Sequence, residues 1–316
     1  MKLDTLAKPK KLQPGDTVAA VTLSWGGPGT LRDRYDIGKQ QLQDAFGLNV
    51  IEMPHTCADP GFIATHPQAR AQDLHDAFAN PDIAGIISTI GGDDSIRLIP
   101  HFDYALMAAN PKVFLGYSDT TVSHLACLKS GFTSFYGPSI MSGFAENGGM
   151  HDYLINSVRT MLFDSAPPGR IAANSNGWTV ELLDWASATN NATKRRLTRS
   201  TGWRYIQGKG CVQGRLLGGC LEVLEWLRGT AVWPEPEQWD DAILFLETSE
   251  EAPPPTEVQQ AMRVYAASGV LERISGILLG RPGGQLDPAT FSGYDDALRQ
   301  VVHQEQGLTD LPIVTG

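Results

Sequence analysis

At 316 residues the chain exceeds the roughly 250–300 at which one hydrophobic core stops growing, so two domains are expected. Apolar residues make up 42% and charged residues 19%, a balance that excludes a disordered chain. The formal charge of −10 argues against nonspecific affinity for nucleic acid or an anionic membrane, and no run approaches the roughly 18 apolar residues of a membrane span.

The N-terminal MKLDTLAKPKKLQPGD is basic but has no apolar h-region, so no signal peptide is expected. Thr17–Thr22 (TVAAVT) reads as a strand, followed by a turn at Gly26–Gly29. Leu31, Tyr35, Leu42 and Phe46 then keep one helical face over 30–46. A second helix is expected over 68–78, with Ala71, Leu74 and Phe78 inward and Arg70, Asp73 and Asp76 outward. Ala84–Ile90 is a continuous apolar run, as in a parallel strand covered on both faces, and Gly91-Gly92 ends it. Next come a strand at Lys112–Leu115, a tight turn through Gly116-Tyr117-Ser118-Asp119, and a helix from about Thr120.

From Ser165 to Gly210 the chain turns polar and irregular, which marks a linker or a functional loop. Periodicity then returns, with a helix expected over Gly218–Leu227 and a strand over Ala242–Glu247. A helix over Thr256–Ala267, a strand over Ser275–Leu279 and a helix over Tyr294–Val302 complete the pattern. The alternation is that of an α/β protein. Cys57, Cys127, Cys211 and Cys220 form no CxxC pair, and the seven histidines form no metal-ligand spacing, so reduced thiols in a cytoplasmic protein and no metal are expected.

The segment KVFLGYSDTTVSHLACLKSG carries the strongest chemical signal. An apolar strand running through a sharp turn into a helix is the setting of a nucleophile elbow, which would present Ser118 at the carboxyl edge of the sheet. The helix start beneath it would favour a developing oxyanion. The same residues, Ser118, Asp119 or Thr120, serve equally well as helix caps.

With STIGGDDSIRLIP before it and GRLLGGCLEVL, AILFLETSEE and GILLGRPGG after it, this segment resembles the LD-carboxypeptidase family of serine peptidases over nearly the whole chain. The ETSEE and GRPGG forms and the long Trp-containing loop resemble its microcin C immunity branch. The resemblance implies a flavodoxin-like N-terminal domain with a parallel sheet (1–165), an interdomain loop or lid (166–205) and a smaller swivelling-type α/β C-terminal domain (206–316). It also implies a homodimer, no cofactor, and a Ser–Glu–His mechanism at a site between the domains. Ser118 matches the nucleophile and Glu247 the carboxylate that orients the histidine. The N–H groups of Gly92 and Asp119 match the oxyanion hole, with Gly91 beside it. The histidine of the family follows a strand ending in a Thr-Gly-like pair. This chain reads LPIVTG up to Gly316, so the base is expected just beyond it, with C-terminal residues of the second domain missing. His55, His66, His124 and His303 are not obvious substitutes.

For substrate binding the resemblance points to Trp185, with Trp178 and Trp203 as poorer matches. An indole there would stack on a nucleobase or simply anchor the loop. The basic run Lys194, Arg195, Arg196 and Arg199 reads as a solvated face in preference to a phosphate site. Two positions depart from the family pattern. Cys220 stands where asparagine is frequent, and Glu251 where the type member of the immunity branch carries lysine, which should disfavour a phosphoryl-bearing substrate. The implied substrate is a small peptide-like molecule or peptidyl-nucleotide. Trimming of murein tetrapeptide is the alternative within the same chemistry, and a nonenzymatic small-ligand binder the alternative outside it. The doublets Gly26-Gly27 and Gly91-Gly92 lack the GxGxxG pattern of a dinucleotide-binding oxidoreductase.

Overall fold

The computed structural model describes residues 6–316. The chain divides into two compact units. One extends to residue 198 and takes in 230–232; the other holds 199–229 and 233–316.

The first unit is built on five parallel strands: β1 (Thr17–Val21), β2 (Asn49–Glu52), β3 (Ile83–Ser88), β4 (Val113–Gly116) and β5 (Phe135–Tyr136). Their order is β2-β1-β3-β4-β5, the flavodoxin-like arrangement. Val18, Ala19, Ile86, Ile87, Val113 and Phe114 are buried, as continuous apolar strands flanked by helices must be. In such sheets ligands collect beyond the carboxyl ends of the strands, near the point where strand order reverses. Here that point lies between β1 and β3, so residues 22–25, 89–95 and 117–120 sit on the edge to watch.

The helix Arg32–Phe46 starts later than periodicity suggests and ends at Gly47, whose φ of 68° supplies the left-handed cap. The helix Pro67–Ala79 corrects one expectation. Ala71, Leu74 and Phe78 face the core, but Arg70 and Asp73 are buried too. Each has found a partner: Arg70 donates to Leu23 and Asp94, and Asp73 accepts from His55. Burial raises the Asp73 pKa above the usual carboxylate value, and the His55 hydrogen bonds work against that shift.

The second unit carries a mixed sheet ordered β6-β10-β9-β8-β7. It comprises β6 (Arg204–Gln207), β7 (Leu216–Cys220), β8 (Ile243–Glu247), β9 (Gly276–Leu279) and β10 (Ile313–Thr315). All pairs are parallel except β6, which runs antiparallel to β10. The expected helix over 218–227 is a strand followed by the helix Leu221–Leu227. Gly218 explains the strand: a Cβ there would lie 1.7 Å from the Phe245 carbonyl oxygen, so only glycine lets β7 lie against β8. The last helix runs from Ser292 to Arg299 and loosens into a π segment over Gln300–Glu305.

Candidate active site

Strand β4 ends at Gly116, and Tyr117 leads into a single 3₁₀ turn, Ser118–Thr120, before the helix Thr121–Lys129 begins. Ser118 has a backbone φ of 60°. An L-residue other than Asn or Asp seldom holds this conformation, which costs of order 1–3 kcal/mol and tends to occur at functional turns. Its backbone is held from both sides. The Ser118 N–H donates to Tyr136 Oη at 2.8 Å, and its carbonyl accepts from Thr121 Oγ1 at 2.7 Å. The turn is sharp enough that a Cβ on Gly116 would meet Thr120 Oγ1 at 2.8 Å.

His124 supports this turn from below. It is buried, with Nε2–H donating to the Gly116 carbonyl at 2.9 Å and Nδ1 bonded to Ser134 Oγ at 2.8 Å. Burial pushes its pKa down to about 4, the Gly116 bond acting weakly the other way, so the ring is neutral at pH 7. Both nitrogens are committed to structural partners, which makes His124 a strut. His55 is bonded to Asp73, His75 accepts the Asp103 N–H, and His66 is bonded to the Phe62 carbonyl. His303 lies exposed on the π segment.

The loop after β3 meets the serine. A Cβ added to Gly91 would lie 2.9 Å from both Cβ and Oγ of Ser118 and 3.4 Å from the Asp119 nitrogen. Gly92 has φ of +145°, and a Cβ there would strike Ser24 Oγ at 2.3 Å. Glycine is therefore required twice, once for closeness to the serine and once for backbone conformation. Ser118, Asp119, Gly91 and Gly92 thus come together on one edge of the first sheet. The Asp119 side chain is fully buried, and its Oδ2 accepts from the N–H groups of Asp94 and Ser95.

In the second unit, register pairs Cys220 with Glu247 at the carboxyl ends of β7 and β8. Burial, then the negative charges of Glu247 and Glu222, push the Cys220 thiol pKa well above its ordinary range, so it is a neutral group beside two carboxylates. Glu222 accepts from the backbone N–H and hydroxyl of Ser249 and from the Cys220 thiol at 3.5 Å. Glu251 is exposed on the turn that follows, with its N–H on Ser249 Oγ at 3.3 Å. Gly283 of the GRPGG segment packs under this turn, where a Cβ would sit 2.0 Å from the Ser249 carbonyl oxygen. The RLLGGC, LETSEE and GRPGG segments are therefore three parts of one local structure.

Trp185 is half-buried against the core of the first unit, and the Arg34 guanidinium lies over its ring at 4.6 Å. Trp178 pairs with Thr198 through two backbone hydrogen bonds, whereas Trp203 is exposed. The basic run is not uniformly solvated: Arg195 pairs with the buried Glu146, while Arg196 pairs with Glu181 near the surface. Arg34, Asn147 and Asn191 form a buried knot that periodicity does not disclose. Its only sequence signal is an asparagine-rich stretch inside a polar loop. Among the described residues no cluster of three histidine, cysteine, aspartate or glutamate side chains has metal-site geometry.

Comparison with known proteins adds to this picture. A family model described as the LD-carboxypeptidase N-terminal domain matches residues 18–137, and one described as the LD-carboxypeptidase C-terminal domain matches residues 213–316. The microcin C7 self-immunity protein MccF of Escherichia coli is 30% identical over 271 residues, 85% of this chain and 76% of that protein. An MccF-like protein from Streptococcus pneumoniae, solved in complex with AMP, superposes with a TM-score of 0.84 at 33% identity, over 96% of this chain and 90% of that one. MccF in complex with aspartyl sulfamoyl adenosine superposes with a TM-score of 0.80 at 27% identity, over 98% and 89%.

Proposed function

The chain belongs to the LD-carboxypeptidase family, and from that premise we propose that it is a serine peptidase cleaving an amide bond in a small peptide-like substrate through Ser118. The observation that carries the reading is the strained Ser118 turn with Gly91 packed against its Oγ. A serine held in an unfavourable conformation beside a loop that admits no side chain is better suited to attack than to capping.

In this reading Ser118 Oγ adds to the amide carbonyl while a histidine takes its proton. The oxyanion is held by the N–H groups of Gly92 and Asp119, and the histidine returns the proton to the departing amine. Water then releases the acyl-enzyme. Glu247 is assigned the orienting role, fixing the histidine tautomer and stabilising its charged form. His124 is not assigned as that base, since both of its ring nitrogens are bonded to structural partners.

The substrate we favour is an aminoacyl- or peptidyl-nucleotide of the microcin C type, with Trp185 against the base. The ligands in the complexes of the MccF-like proteins support this choice. Exposed Glu251, where a cation would suit a phosphoryl group, favours a second reading in which the enzyme trims the terminal D-alanine of a murein tetrapeptide. Aspartyl sulfamoyl adenosine, an L,D-murein tetrapeptide and a plain dipeptide should be offered in competition to the full-length protein and to its Ser118→Ala variant. Preferred hydrolysis of the adenosine compound, lost in Ser118→Ala, is the expected result. Hydrolysis no faster than that of the dipeptide would sink the nucleotide reading, and hydrolysis surviving Ser118→Ala would sink the serine mechanism. A homodimer in the cytoplasm completes the proposal, and light scattering on the eluting protein tests the assembly.

A further inference from the structure

The loop after β3 is fastened more heavily than a turn requires. The Trp25 N–H holds the Gly91 carbonyl at 3.1 Å. The Asp94 N–H is shared between Ser24 Oγ at 3.2 Å and Asp119 Oδ2 at 3.1 Å. The Ser95 N–H reaches the same Asp119 Oδ2 at 2.8 Å, while Ser95 Oγ donates to the Asp119 carbonyl at 2.7 Å. From the opposite side Arg70, with no exposed surface, spans two anchors. Its Nη1 donates to the Leu23 carbonyl at 2.9 Å and its Nη2 to Asp94 Oδ1 at 2.9 Å. Arg97 holds the other Asp94 oxygen at 3.2 Å.

Burying a guanidinium and a carboxylate is costly, and apolar side chains of similar volume would fill the same space without that cost. What apolar residues cannot do is fix the direction of backbone N–H groups. The Asp119 carboxylate ties Asp94 and Ser95 to the residue next to Ser118, and Arg70 ties Asp94 to Leu23 in the loop just after β1. Gly92 is thereby held in a short span between two anchored residues, Gly91 on one side and Asp94 two positions along.

We infer that Arg70 and the Asp119 side chain are positioning residues that hold the loop 91–95 against the Ser118 turn, so that the N–H groups of Gly92 and Asp119 point at one oxygen. This rests on the serine-peptidase reading for its catalytic consequence, but the mechanical part stands on the contacts alone. Asp119 then has two tasks, its backbone at the oxyanion and its side chain as the clasp.

The test compares Asp119→Ala, Asp119→Asn and Arg70→Lys in the full-length protein by amide hydrogen exchange over residues 91–95 and by steady-state kinetics. Asp119→Ala should speed exchange in that segment and lower kcat by about 10²-fold at nearly constant KM, the size of effect seen when an oxyanion donor is lost. Asp119→Asn keeps an acceptor oxygen and should restore most of both. Arg70→Lys keeps the charge but loses the two-armed span, and should show the same pattern more weakly. It also decides the question if Asp119→Ala does not fold. Unchanged exchange over 91–95 in the folded variants overturns the clasp whatever the activity. Faster exchange with unchanged kcat overturns its part in catalysis. A wild-type protein that hydrolyses no amide would refute the peptidase reading instead, while the exchange data would still decide whether the clasp exists.

Discussion

Ser118 sits in a conformation that glycine adopts freely, and its hydrogen bonds are made by its backbone. Replacing it with glycine should therefore stabilise the fold by about 1 kcal/mol while removing all hydrolysis. Thermal unfolding beside an activity assay checks this, and a Ser118→Gly protein less stable than wild type would remove strain from the account. Gly91→Ala makes the opposite demand. Its methyl group must enter a space 2.9 Å from Ser118 Oγ, so kcat/KM should fall by at least about 10²-fold. His124 gives a third expectation at this scale. Its folded pKa of about 4 lies below the ordinary histidine value, so below pH 6.5 the unfolded chain binds a proton that the folded chain refuses. Its contribution is fully present above pH 6.5 and is lost as pH falls towards 4, to an extent of about 3 kcal/mol. Urea unfolding between pH 7 and pH 4 should show this slope, and His124→Gln should flatten it.

Among the elements, the polar segment from 166 to 198 shows how a loop without periodicity is held in place. Arg34, on the helix Arg32–Phe46, donates to the Met141 carbonyl, to Asn147 and to Asn191, and covers the Trp185 ring. Burial lowers the guanidinium pKa to about 10, with the Arg195 charge adding to the fall and Glu146 opposing it, so Arg34 stays charged at neutral pH. Arg34→Met should leave three buried acceptors unpaired, destabilise the first unit by about 3 kcal/mol and expose the segment to limited proteolysis. An unaltered cleavage pattern would show that the loop is held by other contacts. Beyond the asparagine-rich stretch, this knot was not legible in the sequence, because Arg34 lies more than 100 residues from its partners and each reads locally as a solvent-facing polar residue. Arg70 escaped for the same reason: helical period sorts by polarity, and a buried arginine is recognisable only once Leu23 and Asp94 are seen around it. The strand–turn–helix around Ser118 was legible because apolar run, glycine and helix start are contiguous. Strand β7 was misread as helix because its glycines serve the neighbouring strand, which periodicity cannot represent.

For the whole molecule, alternation of apolar runs and amphipathic segments was enough to predict an α/β protein, and the parallel sheet ordered β2-β1-β3-β4-β5 agrees with it. The antiparallel edge strand β6 was not foreseen, since Arg204–Gln207 is half-exposed and lies in polar surroundings. Net charge is a further global property read directly from composition. At −10 the protein should give no change in the anisotropy of labelled duplex DNA at physiological salt. Binding that weakens steeply with added salt would reveal a local basic surface that outweighs the total.

The packing of Gly283 beneath the Ser249 carbonyl also divides the turn into a position that cannot vary and one that can. The glycine is closed in by backbone that leaves no room for a side chain, whereas Glu251, two residues after Ser249 on the same turn, is exposed. A substitution at residue 283 would therefore have to move the turn, whereas one at residue 251 changes its charge and leaves its path alone.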